Sequence, residues 1–154
     1  MATALVLMDQ LIRGYVEDNM TEGEKRPLVR ETVELRKHHN KGFVMNTCAD
    51  RPEFVKMLSA MSAGCAIGTL ALAVLKGSNR VRKMGLALVT AGGLSNLYDR
   101  FARGYVVDYL GVKKGPEKLQ KITFNLADVM IAAGSVLALC PGKARKGKTV
   151  LRKR

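Results

Sequence analysis

The stretch Leu94–Tyr109 (LSNLYDRFARGYVVDY) decides how the chain can fold, because it puts charged side chains directly after the apolar run Met84–Leu94. We expect this stretch to lie at one edge of a membrane. Ionisable groups at membrane depth are costly, and they indicate a functional site by default. The candidate residues in the stretch are Asn96, Asp99, Arg100 and Asp108.

A second apolar run, Ile122–Leu139, carries the segment FNLAD at residues 124–128, so the pattern Asn-x-x-Asp occurs in both places. Side chains three residues apart lie on one face of a helix. If the third helix runs outward and the fourth runs inward, both pairs reach the same membrane boundary. The spacing therefore predicts that two carboxylates converge there.

The uncharged run Leu58–Leu75 predicts a transmembrane helix. With Phe54 and Val55 it covers about 30 Å at 1.5 Å per residue, close to the hydrocarbon thickness of a bilayer. A buried core helix is the alternative. Together the apolar runs predict one all-α integral membrane domain over residues 1–154, with a small, partly β extracytoplasmic loop region in which Pro27–Leu35 could form short strands. The four predicted transmembrane helices are residues 1–17, 54–75, 84–101 and 122–141, followed by a basic cytoplasmic tail at 142–154.

The chain carries a formal net charge of +13, which would ordinarily suggest nucleic-acid binding. The basic residues, however, gather in short segments between apolar runs, notably Lys76–Lys83 and Lys143–Arg154, and no aromatic residue interleaves with them. We therefore expect no nucleic acid as a partner, with a soluble RNA-binding protein as an alternative. Basic loops mark the cytoplasmic side of a membrane, so both termini are expected inside and the segments Glu17–Glu53 and Arg100–Lys121 outside.

Asp9 and Arg13 lie four residues apart on the first predicted helix and can form a structural pair that lowers the cost of burying either one. An exposed pair on the helix surface fits the spacing equally well. The adjacent His38 and His39 have no third ligand at a suitable spacing, which favours solvated loop residues over a metal site. We expect no metal and no cofactor.

Two carboxylates held close together cannot both ionise, so one keeps a proton at neutral pH. This is the arrangement of an aspartic peptidase, in which the charged carboxylate takes a proton from water and the protonated one stabilises the developing oxyanion. Two alternatives remain open. The aspartates could have only structural roles at the membrane interface, or Asp128 could be the coupling site of a small ion- or proton-coupled membrane transporter.

Five motifs together resemble those of the lipoprotein signal peptidases (signal peptidase II), over nearly the whole chain. The pattern of that family is D-Q-x-x-K, N-x-G, G-N-x-x-D-R, V-V-D-F and F-N-x-A-D. The corresponding segments here are DQLIR at 9–13, NKG at 40–42, SNLYDR at 95–100, VVDY at 106–109 and FNLAD at 124–128. Arg13, Ser95 and Tyr109 stand where the family usually has Lys, Gly and Phe, and Val44–Asn46 also departs from its pattern.

The resemblance implies an aspartic endopeptidase with Asp108 and Asp128 as the catalytic pair. It implies that other matching residues hold this pair or the substrate: Asn40, Gly42, Asn96, Asp99, Arg100, Asn125 and Ala127. The substrate would be a membrane-anchored prolipoprotein, cut just before a Cys that bears a diacylglyceryl group. Lipid tails in the bilayer would hold the substrate between the helices, and the segment His38–Asn46 would close over the scissile bond. A globomycin-type inhibitor would bind between the two aspartates. The enzyme would be a monomer in the bacterial cytoplasmic (inner) membrane, with its site on the extracytoplasmic side.

Overall fold

The computed structural model describes residues 2–29, 32–43 and 46–139. The predicted basic tail at 142–154 lies outside these residues, and so do Val44 and Met45. Helices and strands follow one another along the described part of the chain. They are α1 (Ala2–Asn19), β1 (Lys25–Val29), β2 (Val33–Asn40), α2 (Pro52–Leu75), α3 (Arg80–Ala102), β3 (Val106–Val112), α4 (Glu117–Gln120), β4 (Thr123–Phe124) and α5 (Leu126–Leu139).

One helix in the described part of the chain, α2, is long and apolar enough to cross a membrane. Helix α5 is also apolar but has 14 residues. Helices α1 and α3 have 18 and 23 residues, and they bury the charged side chains of Asp9, Arg13 and Asp99. The chain is therefore helix-rich, and buried charge lowers the hydropathy of two of its long helices.

The fourth apolar segment is helical only from Leu126, not from Ile122 as predicted. Thr123 and Phe124 instead form β4, which pairs with β3. Asn125 then stands directly before α5. Asn is favoured before a helix because its side chain accepts a backbone N–H of the first turn. The start of α5 is thereby placed beside the sheet.

A four-stranded antiparallel sheet, in the order β1-β2-β3-β4, is larger than the short strands predicted near Pro27–Leu35. Strand β3 was not predicted, although its buried Val106 and Val107 are β-branched and so favour a strand. His38 and Asn40 are also strand residues rather than part of a closing loop. They lie on β2, where His38 is opposite Asp108 and Asn40 is opposite Val106.

The two faces of β3 have different surroundings, because successive side chains of a strand point to opposite sides. Val107 and Tyr109 pack with Val16 and Met20 in a buried apolar core at the end of α1. Asp108 lies between them in sequence and lines a cavity. Apolar packing behind the strand thus fixes the position of Asp108.

Helices α3 and α5 approach closely at Gly92. A Cβ atom at this position would lie 2.5 Å from the backbone oxygen of Ala127, which is itself fully buried. Small residues permit such a close approach of two helix backbones. The contact brings Asn96 of α3 within hydrogen-bond distance of Asp128 of α5.

Candidate active site

Asn125 and Asp128 cap the N-terminus of α5 reciprocally. The backbone N–H of Asp128 donates to Oδ1 of Asn125 at 3.0 Å, and the backbone N–H of Asn125 donates to Oδ2 of Asp128 at 3.1 Å. This exchange satisfies two backbone donors that a helix start leaves free. The side chain of Asp128 is therefore fixed by the start of its own helix.

Asn125 also joins Asp128 to Asp108. Its Nδ2 donates to Oδ1 of Asp108 at 2.6 Å, while Oδ2 of Asp108 accepts from Nδ2 of Asn40 at 3.1 Å. Asp108 is 3% exposed and Asn125 is fully buried. The structure thus brings the two aspartates into one site, where the side-chain amide of Asn125 bonds the carboxylate of Asp108 and its backbone N–H bonds the carboxylate of Asp128.

Asn96 holds the remaining oxygen of Asp128. Its Nδ2 donates to Oδ1 of Asp128 at 2.9 Å, and its Oδ1 accepts from Nη2 of Arg13 at 2.7 Å. Both Asn-x-x-Asp pairs therefore contribute to the same site, but in different ways. The Asn of the first pair reaches Asp128, whereas Asp99 points to Arg13.

Three asparagine amides surround the aspartates, and each is oriented from its far side. Oδ1 of Asn40 accepts from the backbone N–H of Gly42, in the same way that Arg13 holds Asn96 and Asp128 holds Asn125. With each oxygen engaged, the NH2 group is left to face a carboxylate. All four carboxylate oxygens of the pair thus accept a fixed N–H donor.

Arg13 forms a fully buried ionic cluster with Asp9 and Asp99. Its guanidinium lies 2.7 Å from Oδ2 of Asp9 and 2.6 Å from Oδ2 of Asp99, and all three side chains have no exposed surface. The predicted pairing of Asp9 with Arg13 is present, and the exposed alternative is wrong. Asp99 also accepts the backbone N–H of Val107 at 3.2 Å, so the cluster ties α1 and α3 to the strand that carries Asp108.

Arg100 connects the site to the segment that follows β2. Its Nη2 donates to the backbone oxygen of Gly42 at 2.9 Å, and its guanidinium lies 5.8 Å from the ring centre of Phe43. A Cβ at Gly42 would overlap the backbone at Asn46 and Thr47, so the tight turn requires glycine. Among the described residues, Nε of Arg100 is buried and has no hydrogen-bond partner.

A cavity of about 550 Å³ lies beside the two aspartates. Small and apolar side chains of α2, α3 and α5 form much of its wall, and its polar side chains come from the sheet as well as from the helices. A mainly apolar pocket with a few convergent polar groups is typical of a binding site. Its lining includes Asn40, Phe43, Ser59, Ser62, Ala63, Ala66, Val89, Gly93, Asn96, Arg100, Val106, Asp108, Thr123, Phe124, Asp128, Ile131 and Ala132.

Burial, and next the nearby charge of Asp128, raise the pKa of Asp108 to about 7. A carboxyl group with such a pKa holds a proton over much of the neutral range. In the described part of the chain, no group of three or more His, Cys, Asp or Glu side chains is arranged to hold a metal ion. The arrangement therefore suits acid–base chemistry by a pair of carboxylates.

His38 and His39 are placed differently from the solvated loop residues that we predicted. His39 lies on β2, stacks on the ring of Tyr105 with centres 4.0 Å apart, and has Nε2 3.0 Å from Oε2 of Glu17. His38 has Nδ1 3.4 Å from Glu22. Both histidines face carboxylates at the end of α1 and in the following turn.

Sequence analysis misses the role of Ser95 and Tyr109 beside Asp9. Oγ of Ser95 donates to Oδ2 of Asp9 at 2.7 Å, and the hydroxyl of Tyr109 donates to Oδ1 at 2.9 Å. One feature of the sequence could have indicated that Ser95 and Tyr109 act together with Arg13. Both positions depart from the family pattern, as does Arg13, and all three side chains contact the same carboxylate.

Comparison with known proteins identifies relatives along nearly the full chain. Residues 1–141 match the family model described as signal peptidase (SPase) II. A lipoprotein signal peptidase of Moorella thermoacetica is 30% identical over 140 residues, which is 91% of this chain and 87% of that protein. A lipoprotein signal peptidase of Streptococcus pyogenes serotype M1 is 27% identical over 135 residues, covering 88% and 85% of the two chains.

Two solved structures share the fold. A bacterial membrane enzyme determined by the in meso method at 2.3 Å resolution has a TM-score of 0.75 and 22% sequence identity. The match covers 88% of this chain and 80% of that one. A second bacterial membrane enzyme, determined in the same way at 1.9 Å, has a TM-score of 0.73 and 23% identity over 88% of this chain and 85% of its own.

Proposed function

Because this chain belongs to the signal peptidase II family and removes signal peptides from prolipoproteins, we propose that it does so as an aspartic peptidase with Asp108 and Asp128 as its catalytic pair. The observation that carries this proposal is the position of Asn125, whose side-chain amide donates to the carboxylate of Asp108 and whose backbone N–H donates to the carboxylate of Asp128. A shared partner of this kind holds two acids in one site, where the charge of one favours the protonated form of the other. The transporter alternative is not favoured, because Asp128 lies at the start of α5 rather than at its middle.

Near neutral pH the pair holds one proton, and the raised pKa of Asp108 assigns it to that residue. Asp128, then charged, takes a proton from water as the water oxygen attacks the scissile carbonyl carbon. Asp108 gives its proton to the carbonyl oxygen. When the C–N bond breaks, the proton on Asp128 passes to the leaving nitrogen, and Asp108 takes a proton back from one of the two hydroxyl groups of the tetrahedral intermediate, which leaves the carboxylic acid.

The surrounding residues bind and orient in this scheme. Asn40, Asn96 and Asn125 hold the carboxylates, while Arg100 lines the cavity in which the substrate would lie. Gly42 presents its backbone to the same guanidinium. Arg100 anchors the turn after β2 beside the cavity. In this scheme, that turn is the part of the segment His38–Asn46 that covers the scissile bond.

The substrate that we propose is a prolipoprotein whose Cys already carries a diacylglyceryl group, and cleavage occurs just before that Cys. A cavity of about 550 Å³ with mostly apolar walls suits an amphiphilic chain of this kind, with membrane lipid around it. A globomycin-type inhibitor would compete for the same space. The enzyme acts as a monomer in this scheme.

We further propose that α1, α2, α3 and α5 all span the bacterial inner membrane, with both termini cytoplasmic and the sheet outside. Pairing of Asp9 and Arg13 within the bundle supports this arrangement for α1, because a buried charge needs a partner. Large apolar side chains on the outer surfaces of the helices also support it. They include Leu7, Leu11, Met57, Met61, Leu75, Leu94 and Val136.

Cleavage of a lipobox peptide with diacylglyceryl-Cys by the purified full-length protein tests the catalytic pair. We expect Asp108→Asn and Asp128→Asn each to lower kcat by at least about 10²-fold, because each removes one acid–base group. Asp50→Asn is the matched control, since Asp50 is exposed and away from the cavity. Normal activity in either of the two variants, with correct folding, would rule out the proposed mechanism.

A further inference from the structure

The hydroxyl group of Tyr109 joins three elements of the fold. It donates to Oδ1 of Asp9 on α1 at 2.9 Å and accepts the backbone N–H of Leu126 at 3.2 Å. Tyr109 itself belongs to β3 and is 1% exposed. One oxygen atom therefore links α1, the strand that carries Asp108, and the first residue of α5.

The N–H of Leu126 is a donor that the helix itself cannot satisfy, because it belongs to the first turn of α5. Its neighbour Asn125 donates from its side chain to Asp108 and exchanges cap hydrogen bonds with Asp128. The bond from Leu126 to Tyr109 therefore fixes the start of α5 directly against β3. Asp108 and Asp128 lie on the two elements that this bond connects.

Asp9 fixes the direction of the hydroxyl group. Its carboxylate also accepts from Ser95 and pairs with Arg13, so it is held from two other sides. Burial, and next the charge of Asp9, raise the pKa of Tyr109 above its ordinary value, which keeps the phenol protonated. The O–H bond therefore points at Asp9, and a lone pair is left for Leu126.

We propose that Tyr109 is a positioning residue, whose hydroxyl group sets the separation of Asp108 and Asp128 by tying β3 to the start of α5. This inference rests on the proposed function, because Tyr109 acts only by positioning the proposed catalytic pair. Tyr109 itself touches neither substrate nor the reacting atoms. A phenylalanine at this position can neither donate to Asp9 nor accept from Leu126. The linkage is thus a property of this chain rather than of the family pattern.

The variant Tyr109→Phe tests the proposal in the full-length protein, purified in detergent, with the diacylglyceryl-Cys lipobox peptide as substrate. We expect kcat to fall by about tenfold, because small displacements of reacting groups are costly, while KM stays within about twofold. A looser linkage weakens the repulsion between the carboxylates. The alkaline limb of the pH–kcat profile should therefore move to lower pH.

Tyr105→Phe is the matched control. The hydroxyl group of Tyr105 also donates to a carboxylate of α1, that of Glu17 at 2.9 Å, but the described contacts include none from it to α5. This variant should lose a comparable hydrogen bond and yet keep the kcat and the pH profile of the wild type. If Tyr109 has a purely structural role, Tyr109→Phe and Tyr105→Phe should both have a lower melting temperature. The pH–kcat profiles of the two variants should then be unchanged.

Leu126→Pro breaks the same linkage from the other side, and it decides the question if Tyr109→Phe does not fold. Proline lacks the N–H group and is well tolerated at the first position of a helix. We expect the same fall in kcat and the same shift of the alkaline limb. A wild-type kcat and profile in Tyr109→Phe, or in Leu126→Pro where the first variant cannot be measured, overturns the positioning role.

Failure of this inference is distinguishable from failure of the proposed function. If Asp108→Asn and Asp128→Asn are inactive while Tyr109→Phe behaves as the wild type, the catalytic pair stands and only the positioning role falls. If either aspartate variant remains active, the catalytic assignment falls first.

Discussion

At the scale of single residues, the site depends on asparagines as much as on aspartates. Asn40, Asn96 and Asn125 each accept a donor on the far side and present N–H to a carboxylate. The predicted topology brought Asn96 and Asn125 together with the aspartates, and the family resemblance added Asn40. Neither predicted which amide faces which carboxylate, because those contacts join positions up to 68 residues apart. The contacts of Tyr109 and Ser95 with Asp9 escaped prediction for the same reason.

The pKa of Asp108 leads to a prediction about the pH dependence of cleavage. Since burial raises this pKa to about 7 and the reaction needs the protonated form, kcat should fall as the pH rises above about 7. The measurement is kcat for the lipobox peptide at saturating substrate, from about two pH units below neutral to about two pH units above it. A rate that stays constant across the alkaline half would contradict the assignment of the proton to Asp108.

At the scale of elements, the relation between α3 and α5 decides whether the site forms. Apolar runs predicted that both helices exist, because a long apolar run favours a helix, but they did not predict where α5 begins. Strand β3 was missed because VVDYLGV lacks a regular alternation: both of its faces are covered, one by the α1 core and one by the cavity. The start of α5 was misplaced because hydropathy cannot register the cap at Asn125.

Gly92→Ala should separate α3 from α5. The new Cβ would meet the backbone oxygen of Ala127, which has no freedom to rotate away, so we expect a loss of about 1–3 kcal/mol in the free energy of unfolding and reduced cleavage. Thermal unfolding in detergent and the peptide assay measure the two effects. Gly68→Ala on α2 is the control, because nothing lies within 4 Å of its Cβ position. Equal stability of the two variants would show that the close approach is unimportant.

At the scale of the whole molecule, the chain consists of an apolar helical bundle and a polar sheet, and both contain charged residues. By length and hydropathy alone, α2 is long and apolar enough to cross a membrane. The proposed spans of α1 and α3 do not stand out in this way, because single-sequence hydropathy counts Asp9, Arg13 and Asp99 as exposed charges, whereas the fold pairs them out of contact with the surroundings. The contacts between helices thus remove one objection to the proposed spans.

The proposed topology predicts the labelling of single cysteines in intact cells, after serine replaces the native cysteines. Glu22→Cys lies beside β1 and should react with a membrane-impermeant maleimide from outside, because the sheet is extracytoplasmic. Lys76→Cys follows α2 and should react only after the membrane is permeabilised. Both positions are exposed in the structure, so access to the residue itself is matched. The reverse pattern of labelling would invert the topology.

The buried cluster around Arg13 has a consequence for biogenesis. Asp9 and Arg13 pair within α1, and Asp99 and Arg103 pair within α3, each at a spacing of four residues. In the proposed topology, each helix can therefore leave the translocon with its carboxylate already neutralised by its own arginine, before the other helix has been synthesised. Arg13 needs to engage Asp99 only when the two helices meet in the bilayer. Both pairs within the helices persist beside this contact, so the bundle would assemble by adding a third ion pair without breaking the first two.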